Sequence, residues 1–69
     1  MLTIRLNGEG YAAPREIVTI ADLLAAEGIQ RLRGVAVAVN GEVVSATDWE
    51  RHALAVGDDV EIVKPIGGG

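Results

Sequence analysis

The chain contains no cysteine and no phenylalanine, and Tyr11 and Trp49 are its only aromatic residues. Without thiols, neither a disulfide nor a thiolate metal site can reinforce the fold, and no side-chain sulfur can carry a transferred group. Basic residues are few: six Lys and Arg stand against ten Asp and Glu, a formal net charge of −4. They form no cluster. Phosphate contacts depend on Lys and Arg, so nucleic acid is not an expected partner, and a basic protein surface suits this charge better. No apolar run approaches the roughly 18 residues of a membrane span. Met1 leads straight into an alternating strand pattern where a secretory signal would stand. The expectation is a cytoplasmic protein that does not contact a membrane.

What is present is aliphatic. Sixty-nine residues make one domain, which at this size buries only roughly 60% of the surface its unfolded chain exposes, so Leu, Ile, Val and Ala have to supply the core. "LTIRLNG" alternates, with Leu2, Ile4 and Leu6 on one face and Thr3, Arg5 and Asn7 on the other, the pattern of a half-buried strand. Asn7-Gly8-Glu9-Gly10 reads as a turn. A second strand is expected from about Tyr11, interrupted at Pro14, which cannot donate to a ladder, and resuming through Ile17 and Val18. "TIADLLAAEGI" is a helix: Thr19 is its N-cap, Asp22 three residues on approximates a capping box, and Ile20, Leu23 and Leu24 share one face. Gly28 fits the C′ position, with Ile29 packing back on Leu24. "GVAVAVNGEVVS" is a hairpin about Asn40-Gly41, with Val35, Val37 and Val39 facing one way and Ala36 and Ala38 the other. A short helical turn capped by Thr47, with Glu50 three residues on, a turn at Gly57-Asp58 and a last strand "DVEIVK" complete the order. Strands with one main helix on a sheet make an α+β fold. The first and last strands either pair in parallel or lie apart.

Catalysis by the chain alone is not expected. His52 is the single histidine and has no cysteine to join it, so a metal site or nucleophilic triad lacks its other members, and a structural role is assigned to it. Asp22, Glu27, Asp48, Glu50, Asp58, Asp59 and Glu61 stand where caps, turns and solvated strand faces want acids. Gly8 and Gly10 do not open a helix and match a phosphate-cradling loop poorly. Trp49 is expected to anchor the short helical turn on the core.

The remaining feature is the ending, "VEIVKPIGGG". A frayed terminus or an added scar is one reading of three glycines. The other is that Gly69 presents its α-carboxylate. The glycines follow a strand with no polar spacer, and that strand is apolar on both faces: Val60 and Ile62 on one, Val63 on the other, then Pro65 and Ile66. Such a root suggests a surface that meets another protein. An α-carboxylate, with a pKa of about 3.5, is ionised but weakly nucleophilic at neutral pH. An enzyme that aligns it on the α-phosphate of ATP obtains an acyl-adenylate, which a sulfur nucleophile can displace. Five residues from Pro65 to Gly69 reach at most about 17 Å. Glycine has no Cβ to strike the walls of a narrow channel. Threading costs about 1–2 kcal/mol of entropy per residue, so docking elsewhere has to offset it. Val63, Pro65, Ile66, Ala36 and Ala38 are the candidates for that docking.

The element order, "VNGEVV", the tryptophan of the short helix and "LAVGDDVEIVKPIGGG" together resemble the ThiS family, the sulfur carriers of thiamine biosynthesis, over the whole chain. "TIADLL" is similar to the family's helix start. The resemblance implies a ubiquitin-like β-grasp, a mixed sheet of about five strands on one helix, with a body over residues 1–64 and a flexible C-terminal tail over 65–69. It implies that Gly69 is adenylated by a ubiquitin-activating-type enzyme and converted to a thiocarboxylate. A sulfur donor protein is then a partner, as is thiazole synthase, which takes the sulfur. Gly68 matches the other member of the family's Gly-Gly end, and Gly67 a variable position. No cofactor is expected on this chain; ATP is used by its adenylating partner. The small subunit of molybdopterin synthase shares fold and tail, but that family carries aromatics before its glycines. A non-covalent binding module and a protein tag forming isopeptides are the remaining alternatives.

Overall fold

The computed structural model describes residues 1–65. Strand β1 (Leu2–Leu6) and strand β2 (Glu9–Ala13) form an antiparallel hairpin, followed by helix α1 (Ile20–Ala26). Strands β3 (Ala36–Val39) and β4 (Glu42–Val44) form a second hairpin, and β5 (Asp59–Val63) comes last. The spatial order β2-β1-β5-β3-β4 puts β5 in the middle of a five-stranded mixed sheet. It runs parallel to β1 and antiparallel to β3, which settles the pairing that sequence left open. The expected α+β class, a mixed sheet on one helix, is the observed one.

The core is aliphatic, as the composition demands. Ile20, Leu23 and Leu24 of α1 meet Ile4, Val37, Val60 and Ile62 of the sheet, and Trp49 joins them. Full burial of one such side chain contributes about 1.5–3 kcal/mol. Both hairpins turn on Asn-Gly. Asn7 and Gly8 have φ of 50° and 84°, Asn40 and Gly41 of 53° and 85°, the doubly positive φ of the tight turns that match strand twist.

Helix α1 begins and ends on its own chain's signals. Thr19 accepts from the Asp22 N–H while the Asp22 carboxylate accepts from Thr19, a complete capping box. At the other end Gly28 N–H donates to Ala25 C=O and Ile29 N–H to Leu24 C=O, each at 3.0 Å, the double bond of the Schellman motif. The first turn is also braced from outside. Ile20 N–H donates to the His52 carbonyl at 3.1 Å and Ala21 N–H to that of Trp49 at 3.0 Å, so the exposed donors that open any helix are satisfied.

Three expectations are corrected. The first turn is two residues long, with Glu9 and Gly10 already in β2. Strand β2 ends at Ala13 and does not resume, because Pro14 accepts a turn hydrogen bond from Ile17 N–H at 3.0 Å; Ile17 enters the core from a loop, and Val18 is exposed. The short helical turn is a 3-10 segment (Ala46–Asp48) capped by Ser45, whose hydroxyl accepts from Thr47 N–H. Thr47 thus lies inside the element it was expected to cap. The indole of Trp49 fixes this segment by donating to Val44 C=O at 2.9 Å.

Candidate functional site

Strand β5 leads to the C-terminal glycines, and its neighbours hold it on both flanks. Beyond Leu6 the β1 backbone turns away, and the Asn7 side chain continues the ladder in its place: its Oδ1 accepts from Ile62 N–H at 2.8 Å, while Asn7 N–H donates to Val60 C=O at 2.9 Å. On the opposite flank Asn40 N–H donates to Asp59 C=O at 2.8 Å and its Oδ1 accepts from Asp59 N–H at 3.0 Å. Asn40 Nδ2 also donates to the Asp58 carboxylate at 3.0 Å. Two residues legible in sequence only as turn formers therefore also secure the tail-bearing strand. Nothing local announces that role, since Asn7 and Ile62 lie 55 positions apart.

The sheet face turned away from α1 is largely apolar near the root of the tail. Val63, 63% exposed, pairs directly with Ala36 across β5 and β3, and Glu61 with Ala38. Of the docking candidates, Val63 and Ala36 are brought into contact register, and Ala38 lies two residues further along the same face. Pro65 is exposed just past the strand. Val43, 79% exposed, stands opposite Ala38 and extends the patch. It was not among the sequence candidates, although a two-residue turn at Asn40-Gly41 fixes that pairing and could have identified it. Ile66, Gly67, Gly68 and Gly69 lie outside the described residues.

The other candidates serve the fold. His52 is half-buried and used through its carbonyl. Asp58 accepts from Asn40 and from Ala55 N–H. Asp22 is held below its ordinary pKa, first by the Val18 N–H and then by the Thr19 N–H that donate to its carboxylate; the Thr19 hydroxyl assists and desolvation opposes. These are structural bonds. Among the described residues no group of His, Asp and Glu could hold a metal ion, and no helix is long and apolar enough to cross a membrane. A cleft of about 280 Å³ lies between the first hairpin and the end of α1, lined by Leu6, Asn7, Glu9, Gly10, Tyr11 and Glu27. Its side chains include no nucleophile paired with a base.

No curated protein matches the chain. Solved structures do, among them two of a thiamine biosynthesis protein. The crystal structure of the thiamine biosynthesis protein (ThiS) from Geobacter metallireducens is 28% identical, with a TM-score of 0.81, and the match covers 99% of this chain and 100% of that one. The NMR solution structure of a thiamine biosynthesis protein from the same organism gives the same identity and TM-score, covering 99% of this chain and 88% of that one. The sequence profile of the ThiS family matches residues 4–69. A match over nearly the whole chain, glycines included, on a β-grasp sheet whose central strand leads into them, has one reading: this chain belongs to the ThiS family, the small sulfur carriers of thiamine biosynthesis.

Proposed function

We propose that the chain carries sulfur as a thiocarboxylate on Gly69. The observation that carries this reading is that the family match runs through residue 69, so that the glycines share in the likeness. In the proposed sequence a ubiquitin-activating-type enzyme aligns the Gly69 carboxylate on the α-phosphate of ATP. Pyrophosphate leaves and an acyl-adenylate forms. A sulfur nucleophile supplied by a donor protein adds to the carbonyl carbon, AMP leaves, and one carboxylate oxygen has been replaced by sulfur. Thiazole synthase then receives that sulfur.

The chain contributes position to this chemistry, and ATP belongs to the partner. Gly67, Gly68 and Gly69 thread the partner's channel without a Cβ to obstruct it. Val63, Pro65, Ile66, Ala36 and Ala38 form the docking surface, supported by the exposure of Val63, Pro65 and Ala36 and by the register that sets Val63 beside Ala36. A body over residues 1–64 presents Ala36, Ala38 and Val63 for docking, and a tail over 65–69 adds Pro65 and Ile66 before the reacting Gly69.

Intact-mass measurement tests the proposal. Incubation with ATP, the adenylating enzyme and a sulfur donor should raise the mass by the difference between one sulfur and one oxygen atom. An unchanged mass with a demonstrably active partner refutes it, and high-mass conjugates in extract would mark a protein tag instead.

A further inference from the structure

We infer that Gly34 is the seat of Pro65 and sets the direction in which the C-terminal segment leaves the body. Five described glycines have positive φ: Gly8, Gly28, Gly34, Gly41 and Gly57, between 75° and 85°. A Cβ added at Gly8, Gly28, Gly41 or Gly57 would meet no heavy atom within 4 Å. At Gly34 it would lie 2.8 Å from Pro65 Cγ and 3.8 Å from Pro65 Cβ and Cδ. Backbone conformation explains glycine at all five positions. Only at Gly34 is there a second reason, and that reason is the first residue beyond Lys64.

The two sides of this contact are both stiff. Val35 N–H donates to Leu32 C=O at 3.0 Å, closing a turn with Gly34 at its third position, where positive φ favours glycine. Val35 packs against the core, and Ala36 opens β3 beside Val63. The turn is therefore fixed to the strand next to β5. On the other side, proline locks its own φ and restricts Lys64 to extended backbone. The Cγ tip of the ring then occupies the space that a Cβ on residue 34 would need. A strand held by Asn7 and Asn40, an extended Lys64 and a seated Pro65 make a continuous aimed root. A freely jointed connection at this point would let the reactive end sample many directions. Gly34 acts through Pro65 and touches no reacting atom, so it is a positioning residue.

The inference rests on the proposed carrier function for its consequence, but the contact itself is testable without it. NOEs between the Gly34 Hα protons and the Pro65 ring protons are expected in the free protein, and their absence overturns the seat. Gly34→Ala should lower kcat for ATP-dependent thiocarboxylate formation by about tenfold or more, as misplacement of a reacting group by about 1 Å does, with KM changed less than kcat because Val63, Ala36 and Ala38 of the docking face are untouched. Gly57→Ala, at φ 84° with no neighbour to strike, imposes similar backbone strain and should leave kcat unchanged. Pro65→Ala removes the ring atom that is struck; in the double variant Gly34→Ala/Pro65→Ala the loss should be no larger than the greater single loss. Equal kcat for Gly34→Ala and Gly57→Ala, or losses that multiply in the double variant, would overturn the inference. Failure of the unaltered chain to be modified would refute the carrier reading, and the NOEs would still decide the seat.

Discussion

Asn7 does three things at once. It occupies φ 50°, a region that most side chains avoid. It donates its N–H to Val60, and its side chain accepts from Ile62. Glycine keeps the first two and loses the third, so Asn7→Gly isolates the bond to β5. That variant should unfold with about 1 kcal/mol less stability, read from the urea midpoint, and the Ile62 amide should exchange its proton faster than in the parent. Asn7→Asp retains an acceptor and a tolerance for the left-handed region, and should lie closer to the parent. An Ile62 amide equally protected in Asn7→Gly would mean that the side-chain bond holds nothing in place.

At the scale of elements, helix α1 couples a local signal to pH. The Asp22 carboxylate accepts from the Val18 and Thr19 N–H groups at 2.9 and 3.0 Å, and its folded pKa lies below the ordinary carboxylate value. A lowered folded pKa means that the ionised form stabilises the fold: the contribution is complete above the unfolded pKa and is lost as pH falls through the folded one. Asp22→Ala should therefore melt below the parent at neutral pH, and the gap should shrink as the solution is acidified below the usual carboxylate range. A gap that stays constant through that range would assign the cap to Thr19 alone. This helix was legible in the sequence because its capping residues are close neighbours, Thr19 with Asp22 and Gly28 with Ile29, while the brace from the His52 and Trp49 carbonyls was not. Whereas the turn at Asn7-Gly8 was read two residues too long, the Asn40-Gly41 hairpin turn was legible for the same reason. The parallel pairing of β1 with β5 was not, since it depends on contacts across most of the chain. Pro14 was rightly read as an interruption, but Ile17 and Val18 beyond it suggested a resumed strand where a loop drops Ile17 into the core. Ser45 was overlooked as a cap because Thr47 and Glu50 show the same spacing, and only the indole bond from Trp49 to Val44 fixes the true frame.

For the whole molecule, 69 residues support a net stability of about 3–10 kcal/mol at typical per-residue values, and the proposed function requires that the part doing chemistry take none of it. The position of β5 in the sheet supports that division. As the central strand it pairs with β1 over residues 59–60 and with β3 over residues 60–63, the Asn7 side chain extending the first flank to Ile62, while its outward face at Val63 is exposed. Two substitutions should then fail in different ways. Val63→Lys replaces an exposed apolar side chain at the centre of the docking patch; it should cost the fold less than about 1 kcal/mol and raise KM for the adenylating enzyme about tenfold or more, as loss of a buried interface anchor does. Gly69→Ala should leave melting and KM close to the parent and lower kcat about a hundredfold by displacing the carboxylate within its channel. The combined variant should show both defects multiplied, because residues 63 and 69 act at separate steps of the proposed reaction. If Gly69→Ala instead raised KM alone, the glycines would belong to the binding surface, and recognition and reaction would not be divided between sheet and tail.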